Sequence, residues 1–151
     1  MAAVSIAGND TIIINERVMT NFANTDVGML EYPNEKATVV TGKNGNAVYS
    51  PNSTGEQGNL TLRFLRGTAD DKYLNGLLIN QFADFPSFVL MTGSFIKRMG
   101  TGTGETFNDT YILSGGIFTK NVDVKSNVEG DVEEAITIYT MQFARVTRTI
   151  G

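Results

Sequence analysis

Short runs of β-branched and aromatic residues recur along most of the chain, separated by clusters of Gly, Asn, Asp and Ser. Such runs are typical of strands, and the clusters are typical of turns. The sequence therefore predicts a mainly β protein. At 151 residues, we expect residues 1–151 to form a single domain. The predicted strands are Ser5–Ala7, Thr11–Asn15, Val27–Glu31, Ala37–Thr41, Asn59–Arg66, Phe88–Arg98, Tyr111–Val124 and Ala135–Arg148.

One segment, from about Ala69 to Ala83, carries a helical pattern instead. Thr68 is the expected N-cap, Asp71 stands at the capping-box position, and Pro86 prevents the helix from running further. The adjacent acids Asp70 and Asp71 suit the positive end of a helix better than a catalytic pair. The residues expected on the buried stripe are Leu74, Leu77, Leu78 and Phe82.

Two predicted strands carry apolar residues on both faces, and a strand with only one buried face would not show this pattern. Phe88–Met99 has large apolar residues at both odd and even positions, and a strand of this kind needs a cover on each side. In Ala135–Arg148 the apolar side changes between Ile138 and Tyr139. That change indicates a bulge, a crossover between two sheets, or a second half covered by another subunit. An interface would use Tyr139, Met141, Phe143 and Arg145.

The residue types that are missing narrow the possible functions. The chain has no Cys and no His, which removes thiol nucleophiles, thiolate or imidazole metal sites and the commonest general base. We therefore expect no enzyme, no cofactor and no bound metal. The formal charge of -4 disfavours an ordinary nucleic-acid groove. The start lacks the features of a secretory signal, and no segment has the length of an apolar membrane span, so we expect a protein made in a cytoplasm.

Turn-forming residues flank the short run at Ala47–Tyr49 on both sides. This composition predicts loops around a short strand. Residues Gly42–Gly58 are thus expected to form a long projecting hairpin arm.

The central block resembles tail tube proteins of contractile-tailed bacteriophages. The resemblance lies in residues 36–50, in Gly55, and in the segment 58–66 that leads into the Leu74-bearing helix. The early strand 4–8 and the closing strand 138–148 extend it over most of the chain. Type VI secretion tube proteins are similar in design.

The resemblance implies a β-sandwich or partly rolled barrel with one flanking α-helix and a long hairpin arm. It also implies six copies in a ring, and rings stacked into a hollow tail tube that conducts DNA without binding it specifically. The expected partners are further copies, tail sheath, baseplate and tape-measure proteins, in a virion assembled in the host cytoplasm. The residues expected to touch the adjacent ring are Lys43, Asn44, Asn46, Tyr49, Asn52 and Glu56.

A binding module is the alternative that these observations leave open. A non-enzymatic carbohydrate-binding or adhesion β-sandwich would use exposed side chains such as Tyr49 and Asn52 to contact a sugar. The chain has no Trp and only five Tyr, which leaves few aromatic platforms for such a site.

Overall fold

Nine strands and one α-helix form the part of the chain that the computed structural model describes, residues 5–23, 27–124 and 135–151. Seven strands build one antiparallel sheet in the order β2-β1-β7-β8-β9-β6-β3, and β4 pairs with β5 in a separate hairpin. The mainly β fold is confirmed. The elements are β1 (Ile6–Ile14), β2 (Arg17–Met19), β3 (Gly28–Glu31), β4 (Ala37–Thr41), β5 (Ala47–Pro51), β6 (Gly58–Leu65), α1 (Ala69–Ala83), β7 (Met91–Gly100), β8 (Thr106–Phe118) and β9 (Ile136–Ile150).

Several strand boundaries differ from the predicted ones. The first two predicted strands are one strand, β1, and it turns into the unpredicted strand β2 through Asn15 and Glu16, whose φ angles are 50° and 67°. Two consecutive residues with positive φ angles are typical of the tight turn that joins two strands of a β-hairpin. Residues 88–90 precede β7 because a 3₁₀ turn at Phe85–Ser87 comes first, and β8 ends at Phe118 instead of Val124.

The sheet rolls so that its two ends approach each other. Ile12 of β1 lies beside Gly28 of β3, although four strands separate them in the sheet order. The enclosed face supplies the core, and the predicted alternation in β6 is confirmed because Leu60, Leu62 and Phe64 are fully buried. This geometry corresponds to the partly rolled barrel of the expected fold class.

A bulge in β8 changes which side chains face the core. Met91 pairs with Gly116, whereas Gly93 pairs with Leu113, so one residue of β7 lies opposite two residues of β8. Gly115, at this step, has a φ of 67°, a conformation that glycine adopts without strain. The buried positions therefore change from odd to even along β8.

The same change of face occurs in β9, but not where the sequence pattern placed it. The buried side passes from Phe143 to Val146, beside the bulge. Ile138 points outward and is 41% exposed, while Thr137 is buried. The prediction of a change between Ile138 and Tyr139 was wrong, because a polar residue occupies the inward position there.

Helix α1 has the predicted limits and lies at the end of the roll where β9 begins. Its buried side consists of Asp70, Leu74, Leu78 and Gln81. Phe82, expected on that side, is 55% exposed, because the Gln81 amide takes the inward position. Gln81 donates to the Phe118 carbonyl and accepts from the Phe118 N–H, both at 2.8 Å. Within the described residues, no helix is long and apolar enough to cross a membrane.

The start of α1 is held by the two acids and not by the predicted Thr68 side-chain cap, which is absent. The Asp71 carboxylate accepts from the Gly67 N–H at 2.8 Å and from the Tyr139 hydroxyl. The same hydroxyl oxygen lies 2.9 Å from the Asp71 carbonyl oxygen. Burial and the adjacent Asp71 carboxylate together raise the pKa of Tyr139. These bonds connect the helix to β9.

Asp70 is 1% exposed and joins α1 to the segment after β2. Its carboxylate accepts from the backbone N–H groups of Thr20 and Asn21 at 2.7 and 2.9 Å, and from Arg17 Nε at 3.1 Å. Burial alone would raise the pKa of Asp70, but these hydrogen bonds outweigh it and leave the pKa below its ordinary value.

Ion pairs occupy the opposite end of the roll, where β9 finishes. Arg148 donates two hydrogen bonds to Asp109, at 2.8 and 2.9 Å, and Lys97 pairs with Asp10 at 2.9 Å. The Arg148 hydrogen bonds hold the pKa of Asp109 below its usual value. The helix and this charged rim therefore mark two different ends of the molecule.

Replacing Gln81 with Leu should destabilise the protein by about 2–4 kcal/mol, because the buried N–H and C=O of Phe118 would both lose their partner. Urea denaturation of the variant would measure this change. Asn80→Leu, at the exposed neighbouring position, should stay within about 0.5 kcal/mol of the parent protein. Equal stabilities for the two variants would contradict the role of the amide.

Asp70→Asn should cost about 1.5–3 kcal/mol near neutral pH, since hydrogen bonds to a charged acceptor are lost. The folded pKa of Asp70 is lowered, so its stabilising effect is present above the unfolded pKa of about 3.9 and is lost as pH falls through the folded pKa. Urea denaturation between pH 6 and pH 3 should show the two proteins converging on acidification. With the exposed Asp84→Asn as control, a gap that stays constant with pH would contradict this role.

A candidate self-assembly surface on the hairpin arm

The hairpin of β4 and β5, called here the arm (residues 37–51), leaves large apolar side chains uncovered. All residues of both strands are exposed. Val39 lies opposite Tyr49 on one face, and Val40 lies opposite Val48 on the other. Their exposures are 56%, 75%, 66% and 65%. A two-stranded hairpin with apolar groups on both faces is marginal in water, so this surface is suited to a partner.

The base of the arm is closed by contacts between residues 35–36 and residues 52–56. The Asn52 N–H donates to the Lys36 carbonyl at 2.7 Å, which closes the hairpin. Asn52 Oδ1 accepts from Thr54 and begins the 3₁₀ turn at Ser53–Glu56. Gly55 is buried there against the backbone of Glu35 and Lys36. The arm thus extends from a fixed point.

The predicted arm of Gly42–Gly58 is displaced by a few residues from the observed hairpin. The turn holds Lys43, Asn44 and Asn46, and Gly42 closes it by donating to the Asn46 carbonyl at 2.7 Å. Tyr49 lies on β5, and Asn52 lies at the base. Glu56 lies near the sheet, with Oε2 3.8 Å from Arg145 Nε. Two of the six predicted contact residues therefore belong to the base.

The residues predicted for a subunit interface on β9 separate into two groups. Tyr139, Met141 and Phe143 are at most 1% exposed, because the core of this same chain covers them. Their predicted interface role is therefore wrong. The side chain of Arg145 is 64% exposed and is available to a partner.

Within the described part of the chain, the acids considered for catalysis or metal binding have other partners. Asp70 and Asp71 are occupied by the helix contacts described above. Among residues 5–23, 27–124 and 135–151, no group of three or more acids could hold a metal ion, and Asp123 pairs with Lys120 at 2.7 Å. The acidic residues Glu129, Asp131, Glu133 and Glu134 lie outside the described residues.

The comparisons with known proteins concern the fold. No family model matches the chain, and no curated protein matches it. A chain of the sheath–tube complex of an extracellular contractile injection system, PVC, in its extended state has a TM-score of 0.62 at 13% identity, over 94% of this chain and 88% of that one. A chain of the PVC sheath/tube terminator in its extended state has a TM-score of 0.55 at 14% identity, over 93% and 92%.

A third cryo-EM structure, the tube-terminating cap of the anti-feeding prophage, contains a chain with a TM-score of 0.57 at 14% identity. The match covers 93% of this chain and 88% of that one. Two of these structures belong to an extracellular contractile injection system, and the third is a tube-terminating cap. The resemblance seen in the sequence is therefore confirmed at the level of fold: the chain has a contractile tail tube-like fold.

Replacing Gly55 with Ala should loosen the base of the arm, because the added methyl group would overlap the backbone of Lys36 and Glu35. We expect a loss of about 1–3 kcal/mol, measured by urea denaturation. Gly42→Ala is a matched control, since a Cβ there meets only the Asn46 carbonyl oxygen at 3.6 Å. Equal effects of the two substitutions would contradict the packing described for Gly55.

Proposed function

We propose that this chain is a structural tube subunit of a contractile tail, with six copies in each ring and rings stacked into a hollow tube. The observation that carries the proposal is the exposed apolar arm on a tube-like fold. The fold supports a structural tail component. The arm supplies the surface that a neighbouring copy would cover.

Other exposed apolar groups support assembly beyond the arm. Ile112 and Ile138 on the open face of the sheet, and Val18 on β2, are 54%, 41% and 52% exposed. In a ring, each subunit makes a heterologous contact that closes on itself and leaves no free sheet edge. We propose that neighbouring copies cover part of this surface.

The open face of the sheet is our candidate for the wall of the channel, through which DNA would pass without specific binding. Its described charges include Arg98 and Arg145, whereas Asp109 lies on the core side in register with Lys97. Thr and Ser side chains occupy many of its other positions.

The proposed partners follow from this role. Tail sheath, baseplate and tape-measure proteins would contact the tube, and the assembled particle would be a virion tail built in the host cytoplasm. The sheath–tube complex among the structural neighbours supports the sheath as one partner. An enzymatic activity is not part of the proposal.

Purified protein at high concentration should form rings or tubes roughly 80–100 Å across in negative-stain images, if six domains each about 30–40 Å wide surround a pore. Val40→Asp should raise the concentration needed for assembly at least tenfold, since it places a charge on the arm. Val124→Asp, the same change at a site 81% exposed outside the arm, is the control. Strictly monomeric parent protein that binds sugars on a glycan array would contradict the tube and favour the adhesion module.

A further inference from the structure

A second uncovered apolar surface lies where helix α1 ends. Ile79 and Phe82 are one turn apart on the outward side of the helix, and the chain then continues through further apolar residues into β7. We name this surface the helix-end patch; its members are Ile79, Phe82, Phe85, Val89 and Leu90, with exposures of 60%, 55%, 53%, 83% and 54%.

The base of the arm and the helix-end patch lie towards opposite ends of strand β9. The residues that fasten the arm, Lys36 and Gly55, lie beside Val146–Arg148, towards the end of β9. The helix is fixed to Phe118 and Tyr139, at the other end of the same strands. Two copies stacked in the same orientation would therefore bring the arm of one towards the helix-end patch of the next.

The charges of the two surfaces are complementary. Lys43 is the one charged residue between Ala37 and Gly55, and Asp84 is the one charged residue between Tyr73 and Ile96. Within the described part of the chain, neither side chain takes part in an ion pair shown by the structure. Each apolar surface thus carries one charge, and the two charges have opposite signs.

We infer that the helix-end patch is the receiving surface for the arm of a second copy stacked head to tail. This inference rests on the proposed tube function and names the contact between successive rings. The apolar side chains of the arm would cover Phe82 and its neighbours. Lys43 of one copy and Asp84 of the next carry opposite charges and would attract each other. This attraction would fix the direction and register of the contact, because an arrangement that brought like charges together would be repelled.

Cysteine cross-linking tests the contact directly, since the parent chain has no Cys. A Tyr49→Cys protein is mixed with a Phe82→Cys protein, assembled, and treated with a short bismaleimide. We expect at least ten times more cross-linked dimer than in a mixture of Tyr49→Cys with Thr106→Cys, because Thr106 lies at the far end of the sheet from the helix. Equal yields in the two mixtures would overturn the inference.

Charge reversal provides an independent test. Lys43→Glu and Asp84→Lys should each raise the concentration needed for assembly about tenfold, and the combined protein should return to within about threefold of the parent. Circular dichroism would verify that all three are folded.

The outcomes separate the inference from the function on which it rests. Tubes that form normally in both single variants would overturn the inference and leave the tube function standing, and the helix-end patch would then belong to another partner such as a sheath subunit. A parent protein that forms no assembly would overturn both.

Discussion

The single extra residue of β8 beside Thr92 is the constraint on which the rest of the structure depends. Strand side chains alternate strictly between faces, so without the bulge Leu113 and Phe118 could not both enter one core. With the bulge, the part of the sheet that contains Leu113 and the part that contains Phe118, under α1, enclose the same apolar interior. The paired change of face in β9, from Phe143 to Val146, continues the core across the roll.

Periodicity predicted the parts of the fold in which apolar residues alone decide the structure. The alternation of β6 and the limits of α1 were predicted correctly. The spacing of the leucines determines the first, and the position of Pro86 determines where the helix ends. Gln81 and Thr137 were missed, since their inward positions depend on hydrogen bonds to Phe118 and Asp71 that no local pattern reveals. The misplaced change of face in β9 has the same cause: Ile138 is apolar yet points outward.

The residues of the candidate site also divide into those that the sequence predicts and those that only the fold reveals. Turn-forming residues around Ala47–Tyr49 were sufficient to predict the arm, although the pairing with β4 moved its limits towards the N-terminus. Tyr139, by contrast, cannot be assigned to a core or to an interface from its residue type. The helix-end patch was not predicted, because the pattern placed Phe82 on the buried stripe of the helix and Leu90 in a strand. Only the fold shows that both side chains stay uncovered.

The placement of the base of the arm and the helix towards opposite ends of β9 has a consequence for any filament built by their contact. Such a filament is polar: one terminus presents unoccupied arms, and the other presents unoccupied helix-end patches. Growth at the two termini would then proceed by different encounters and at different rates. A nucleating protein and a stopping protein would consequently need unrelated binding faces, one shaped like the helix-end patch and the other like the arm.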